Sequence, residues 1–463
     1  MESVKISFFN STWRQTMNRN EILKQVLDQK SYMEDRIKDG ISARQKGVFV
    51  YPRIDGSNDN LAGTKMTVHQ KNHEFKHGAN IFMLDEMETP EKNEAYKTNF
   101  ASTFNLATLP FYWNTLEPER NQPRYSKSSP RIYRRPAPDI CIDYCMANRI
   151  EPKAHCLNYS SLVPGWLPAN RPQELKMLLA KRFQELSERY AQRVPMWEVT
   201  NETFWHSDMP QFPIYNDPEF VEWSFKMAET YFPGNKLVIN EAHCCIFNQN
   251  PYQTNRTQYY MQIERALLKG ARIDGIGLPF HMFHTLENAT NAASYYSPLN
   301  MYNVLDSFAK LNKPLQITEI TIPAYTDKQE DEELQAEIMR YLYSMWFSHP
   351  AMEGIIYWNL TDGYGWNAEP GDMNAGENYY RGGLMRFDMT PKPALKVIQD
   401  LFTKEWHTEK TFDINADSYG YFKGFCGDYE AELETPNGLY AGSFSLVSSY
   451  QHNVICNFEK VEQ

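Results

Sequence analysis

From about residue 75 onward, short apolar runs alternate with longer stretches whose apolar positions recur at helical spacing. The runs at 78–83, 103–108, 152–157, 194–201, 236–241, 273–280, 314–319 and 354–359 have strand length. The stretches 139–148, 172–192, 218–232, 256–269, 299–311, 329–347 and 391–403 read as helices. Eight strands alternating with helices predict an α/β chain folded as a (β/α)8 barrel, a TIM barrel. The competing arrangement is an open doubly wound sheet, but no glycine-rich turn of dinucleotide spacing follows an early strand.

The ends of the chain carry a different pattern. Residues 1–45 are polar and helix-prone, notably Glu21 to Ile41. Two alternating runs, Gly47 to Pro52 and Thr64 to Gln70, flank the turn-rich residues 55–60 and predict a β-hairpin. After Lys404 the helical period stops, and Phe412 to Phe458 alternates like a set of short strands. The expected division is a helical segment and hairpin at 1–72, a barrel at 73–403 and a β-rich appendage at 404–463. The two terminal parts are expected to form one module, since domain termini often lie close together. Tyr419, Tyr421 and Tyr429 offer that module sugar-stacking rings, although a structural role on the barrel's flank is the expected one.

Two of the strands end in acids. Val194-Pro195-Met196-Trp197-Glu198-Val199-Thr200-Asn201-Glu202 is an apolar run closing on an amide and a carboxylate. Lys313-Pro314-Leu315-Gln316-Ile317-Thr318-Glu319 closes the same way. In a parallel barrel the carboxyl ends of strands carry the ligand site. One such Glu alone is better read as a helix cap or an arginine partner. Two of them suit glycoside hydrolysis, which needs a pair of carboxylates about one sugar ring apart.

Composition narrows the partners. A formal net charge of −11 argues against nucleic acid or an anionic membrane surface. Aromatics make up 14% of the chain, which suits stacking on sugars, though a large core explains most of them. No apolar run is long enough for a membrane span, and Met1 to Arg14 shows no secretory h-region, so a cytoplasmic location is expected. Seven cysteines, with Cys244 and Cys245 adjacent, read as reduced thiols. Cys141, Cys145 and Cys156 do not have a standard zinc spacing. His73 with His77, and His281 with His284, lack a third ligand in sequence.

Trp197 to Glu202 and Ile317 to Glu319 resemble the acid/base and nucleophile signatures of glycoside hydrolase family 10, the xylanase family. The resemblance continues in order: His73 to Gly78, Trp113 to Pro118, His155 with Pro164-Gly165-Trp166, Asp274 to Gly277 with His281, then Trp358, Asp362 and Trp366, and finally Phe387-Asp388 with Pro391 to Ala394. It covers roughly residues 73–400.

The resemblance implies cleavage of a β-glycosidic bond with retention. Glu319 would be the nucleophile and Glu202 the acid/base, with carboxyl groups about 5–5.5 Å apart. Asn201 would bond the sugar 2-hydroxyl, His281 would orient Glu319, His155 would touch the reacting sugar, and Trp358 and Trp366 would floor and wall it. No metal or cofactor is required by this chemistry. Glu198 reads as a buried structural acid, and Glu241 as a supporting group where the family carries Asp.

Some sugar-gripping positions depart from the family. The Asn and Lys that precede the second-strand Trp are replaced within Thr108-Leu109-Pro110-Phe111-Tyr112-Trp113. Tyr159 stands for a Trp, and Pro279 for a Gln. Tyr112 and Tyr159 therefore join the candidate substrate contacts. The expected substrate is xylan, a xylo-oligosaccharide or another β-linked glycan. The alternative is a carbohydrate-binding barrel with weak or no hydrolysis.

Overall fold

The computed structural model describes residue 19 and residues 21–54, 61–204, 211–242, 246–247, 256–449 and 453–461. In chain order the first strands are β1 (Gln45–Ile54) and β2 (Lys65–His73). Nine follow: β3 (Lys76–Asn80), β4 (Leu106–Pro110), β5 (Glu151–His155), β6 (Met196–Thr200), β7 (Lys236–Ile239), β8 (Gly275–Gly277), β9 (Phe280–His281), β10 (Leu315–Thr321) and β11 (Met352–Tyr357). Five close the chain: β12 (Glu409–Asp413), β13 (Gly420–Phe425), β14 (Gly427–Thr435), β15 (Gly438–Leu446) and β16 (Asn453–Lys460).

β3 to β11 form a closed parallel barrel, because β11 pairs in parallel with both β10 and β3. Eight strand positions account for it: β8 and β9 are two pieces of the sixth. β10 spans both, pairing Leu315 and Gln316 with Ile276 and Gly277, then Ile320 and Thr321 with Phe280 and His281. Pro279 lies in the break, where it cannot donate a ladder hydrogen bond.

The barrel's helices run Pro138–Ala147, Pro172–Tyr190, Phe220–Tyr231, Gln258–Leu268, Pro298–Ala309, Gln329–Ser348 and Pro393–Asp400. Four of these open on a proline, whose missing N–H costs nothing in the first turn. A further helix, Pro90–Thr103, follows β3 and was not expected from periodicity. It buries only Tyr96, Phe100 and Thr103, too sparse a stripe to stand out in sequence, and Thr89 caps it through the Lys92 N–H at 3.3 Å.

The terminal strands form one seven-stranded sheet in the order β12-β2-β14-β15-β16-β1-β13. This corrects the expected hairpin. β1 and β2 are not partners; three C-terminal strands lie between them, and β1 runs parallel to β16. The hairpin that does form is β14–β15, turned by Pro436 and Asn437. A two-residue turn sets register tightly, whereas the long link between β1 and β2 leaves both free to take other partners. The turn itself, 55–60, and Cys244-Cys245 lie outside the described residues. Alternating burial along β14 places Tyr429, Ala431 and Leu433 in a small core separate from the barrel's. Tyr429 is thus buried, while Tyr421 is exposed.

The N-terminal helix Lys30–Arg44 lies against helix Gln329–Ser348. Gly40 permits the approach: a Cβ there would sit 2.3 Å from the Ser348 carbonyl. Cys141, Cys145, Cys156, Cys426 and Cys456 are free and buried.

Candidate active site

The candidate residues gather at the carboxyl ends of the barrel strands. β6 carries the first. Its register with β7 slips between Glu198 and Thr200, so the strict alternation that would align residues 198, 200 and 202 is broken near the tip. Glu202 follows with a left-handed backbone, φ 47°, costly for a residue with a side chain. Glu241 holds that turn: it accepts the Thr203 N–H at 2.7 Å and the Thr203 hydroxyl. Burial raises the Glu241 carboxyl to about 7, against the hydrogen bonds it accepts from Thr203 and Ala242. Glu202 reaches the cleft and accepts the Tyr159 hydroxyl at 2.5 Å. Burial first, then the charge of Glu319, raises the Glu202 carboxyl above its ordinary range, and the Tyr159 bond opposes them.

β10 carries the second acid. Glu319 Oε1 accepts from Asn240 Nδ2 at 2.7 Å, and Oε2 lies 3.0 Å from His281 Nε2. His281 Nδ1 is 2.9 Å from Thr321 Oγ1, so a Thr321 O–H donating to Nδ1 leaves Nε2–H to donate to Glu319. The pairing of Thr321 with His281 across β10 and β9 places that ring. Thr318 donates to Asn240 Oδ1 at 2.6 Å, and Asn240 Nδ2 also reaches Asn201 Oδ1 at 2.7 Å. One amide therefore connects Glu319 to the residue preceding Glu202.

Beneath the two acids lies a buried polar layer. Glu198 is ion-paired with Lys153 and bonded to His155 Nδ1. Burial works against the Glu198 charge, but Lys153 and His155 outweigh it and hold the carboxyl below its usual range. Burial likewise opposes a charged His155, and Glu198, with a contribution from Glu319, raises it overall. A ring nitrogen of His155 lies within 4.8 Å of a Glu319 oxygen.

An aromatic wall surrounds this centre. Trp358 packs edge-on to His155, His281 and Phe82, with ring centroids 5.5, 5.8 and 5.4 Å apart. Tyr112 packs on His155 at 5.2 Å and approaches Tyr159 at 6.2 Å. Trp366 stands farther out, 51% exposed, and is tied to Tyr112 through Arg135, which lies over both rings. Glu202, Glu319, Asn201, His155, His281, Trp358, Tyr112 and Tyr159 are thus brought together, with Trp366 at the rim. His73 and His77 are elsewhere: His73 Nε2 bonds the Trp406 carbonyl at 2.5 Å, and His77 stacks on Phe402 at 3.9 Å. Asn240, Thr318, Thr321 and Lys153 were not singled out as site residues from sequence. Ile239-Asn240-Glu241 did carry a usable signal, an apolar strand closing on a polar pair like that of β6.

The sequence model of glycosyl hydrolase family 10 matches residues 72–401. A beta-1,4-xylanase from Dictyoglomus thermophilum is 25% identical over 309 residues, covering 60% of this chain and 83% of that protein. Endo-1,4-beta-xylanase B from Thermotoga neapolitana is 24% identical over 327 residues, covering 67% of this chain and 84% of that protein. Among solved structures, native xylanase 10B from Thermotoga maritima superposes with a TM-score of 0.54 at 22% identity, covering 72% of this chain and 96% of that one.

Proposed function

The chain belongs to glycosyl hydrolase family 10, and from that premise we propose that it cleaves a β-1,4-xylan or a related β-glycan using Glu319 as nucleophile and Glu202 as acid/base. The observation that carries the assignment of roles is the Asn240 amide, bonded both to Glu319 and to Asn201 beside Glu202. It orients the attacking group and the sugar-binding amide from one anchor.

In the first step a Glu319 oxygen attacks the anomeric carbon while the bond to the leaving oxygen breaks. Glu202, which holds its proton more firmly because burial and Glu319 raise its carboxyl, gives that oxygen its proton. The product is a glycosyl ester on Glu319. In the second step Glu202, now a carboxylate, takes a proton from water as the water attacks the same carbon and frees Glu319. Two inversions give net retention. The Tyr159 hydroxyl supports the charged form of Glu202 in this second half. Asn201 would bond the 2-hydroxyl, and Trp358 would stack under the reacting ring.

The test is hydrolysis of an aryl β-xyloside and of short β-1,4-xylo-oligosaccharides. Glu319→Gln keeps the side-chain shape and removes the nucleophile, so turnover should fall by about 10⁴-fold or more while the thermal midpoint holds. Near-normal turnover by that variant would end the assignment. Binding of these glycans without any product from the unsubstituted chain would favour a carbohydrate-binding barrel.

A further inference from the structure

Two buried cations stand beside the aromatic wall, and the reaction described above makes no use of them. Arg134 and Arg135 lie in the connection between β4 and helix Pro138–Ala147, exposed by only 4% and 6%. The Arg135 guanidinium lies 4.5 Å from the Tyr112 ring centroid, 5.1 Å from that of Phe82 and 5.4 Å from that of Trp366. It therefore occupies the space between the wall of the cleft and the indole at its rim. Arg134 Nη2 donates to Asn359 Oδ1 at 3.2 Å, and Asn359 follows Trp358 directly.

The protein uses these guanidiniums only in part: Arg135 Nη1 donates to the Arg134 carbonyl at 2.8 Å. Nε and Nη1 of Arg134 are buried without a hydrogen-bond partner. Among the described residues, no carboxylate forms an ion pair with either arginine. Glu377 of the facing loop favours the Arg135 charge from nearby without forming an ion pair, and its own hydrogen bonds go elsewhere: it accepts from Asn359 Nδ2 at 2.6 Å and from the Trp366 N–H at 2.9 Å. A buried cation without a counter-ion is destabilising, and ring faces offset only part of that cost. A planar guanidinium fork matches a carboxylate or sulfate with two parallel hydrogen bonds.

We propose that Arg134 and Arg135 form a subsite, adjoining Trp358, for an oxyanion carried by the glycan: the carboxylate of a uronic-acid unit or a sulfate ester. The inference rests on the glycosidase reading for the ligand being a glycan, and it adds a charge requirement which that reading does not contain. Arginines retained only for structure, Arg135 packing on Phe82, Tyr112 and Trp366 and Arg134 bonding Asn359, would show no preference for an anionic ligand.

The experiment is calorimetric binding to the full chain carrying Glu319→Gln, so that no ligand is consumed. Four β-1,4-xylo-oligosaccharides of equal length are compared: unsubstituted, bearing a uronic acid, bearing the carboxyl-reduced form of that unit, and sulfated. At least one anionic ligand should bind about 10-fold or more tightly than the carboxyl-reduced one, and which anion wins identifies the source. Arg134→Lys keeps the charge and loses the fork; Arg135→Gln loses the charge. Each should reduce the anionic-over-neutral ratio by about 10-fold. Anionic and neutral ligands binding within about twofold of each other would overturn the proposal, as would no binding of either anion, or a ratio that survives both substitutions. The comparison among ligands on arginine-intact protein needs neither arginine variant to fold. Hydrolysis by the chain with Glu319 intact is read separately. If none of the four is cleaved the glycosidase reading fails, while the binding ratio still decides the role of the arginines.

Discussion

Asn240 and Glu319 meet through an Nδ2–Oε1 hydrogen bond of 2.7 Å, and the same nitrogen reaches Asn201 Oδ1 at 2.7 Å. Thr318 fixes the amide's orientation by donating to its oxygen at 2.6 Å. Asn240→Asp keeps the shape but exchanges a donor for a like charge beside Glu319. Turnover should fall about 100-fold, the scale seen when one preorganised donor is lost. Steady-state kinetics and a melting curve check it together: unchanged kcat would mean that the amide does not orient the nucleophile.

The Tyr159 hydroxyl donates to Glu202 and so favours the ionised carboxylate. The first step needs Glu202 protonated, so activity should decline as pH rises through its raised value. Tyr159→Phe removes the donor and should move that alkaline decline to higher pH, visible in a kcat/KM profile. A shift to lower pH would contradict the electrostatic assignment.

Glu241 makes a prediction about stability. Its folded value of about 7 lies above the ordinary carboxyl value of about 4.3, so the folded state favours the protonated form. That contribution is fully present below the unfolded value and is lost as pH rises through about 7. Glu241→Gln cannot ionise. Between pH 4 and 8 the native chain should lose up to about 3 kcal/mol relative to this variant. Denaturant unfolding at the two pH values measures the difference, and parallel losses would refute it.

Arg44 pins the N-terminal helix to the barrel. Its Nη2 donates to the carbonyls of His349 and Met352 at 2.6 and 2.7 Å, and its Nε to that of Phe347. Arg44→Met should cost about 2–4 kcal/mol, because several partly buried carbonyls lose a charged donor. The pH profile of catalysis should stay where it is, since none of these carbonyls belongs to the cleft. Unfolding curves with kinetics on the same preparation separate the two.

How much of the site was legible depends on the kind of signal. Glu202 and Glu319 each end an apolar run, so chain position alone exposed them. His281 stood out only through the resemblance of Asp274-Gly275-Ile276-Gly277 and His281 to glycoside hydrolase family 10. Asn240 had the same strand-end position as Asn201 but passed as a neighbour of Glu241, because a single amide has no pattern of its own. Arg134 and Arg135 sit in a polar connection where arginines are ordinarily solvated; only their burial, with Arg135 packed against Phe82, Tyr112 and Trp366 and Arg134 bonded to Asn359, distinguishes them.

By itself the amino-acid order determined the alternation of strands and helices, and with it the barrel and the end at which the acids emerge. Those are local properties, written in periodicity and in where each apolar run stops. The tertiary structure alone decided that β14, β15 and β16 separate β1 from β2, that Glu202 takes a left-handed turn held by Glu241, and that Asn240 joins Asn201 to Glu319. Each depends on which distant segment offers the better partner for an unpaired edge or a buried polar group. That contest is settled by packing in space, which no local periodicity records.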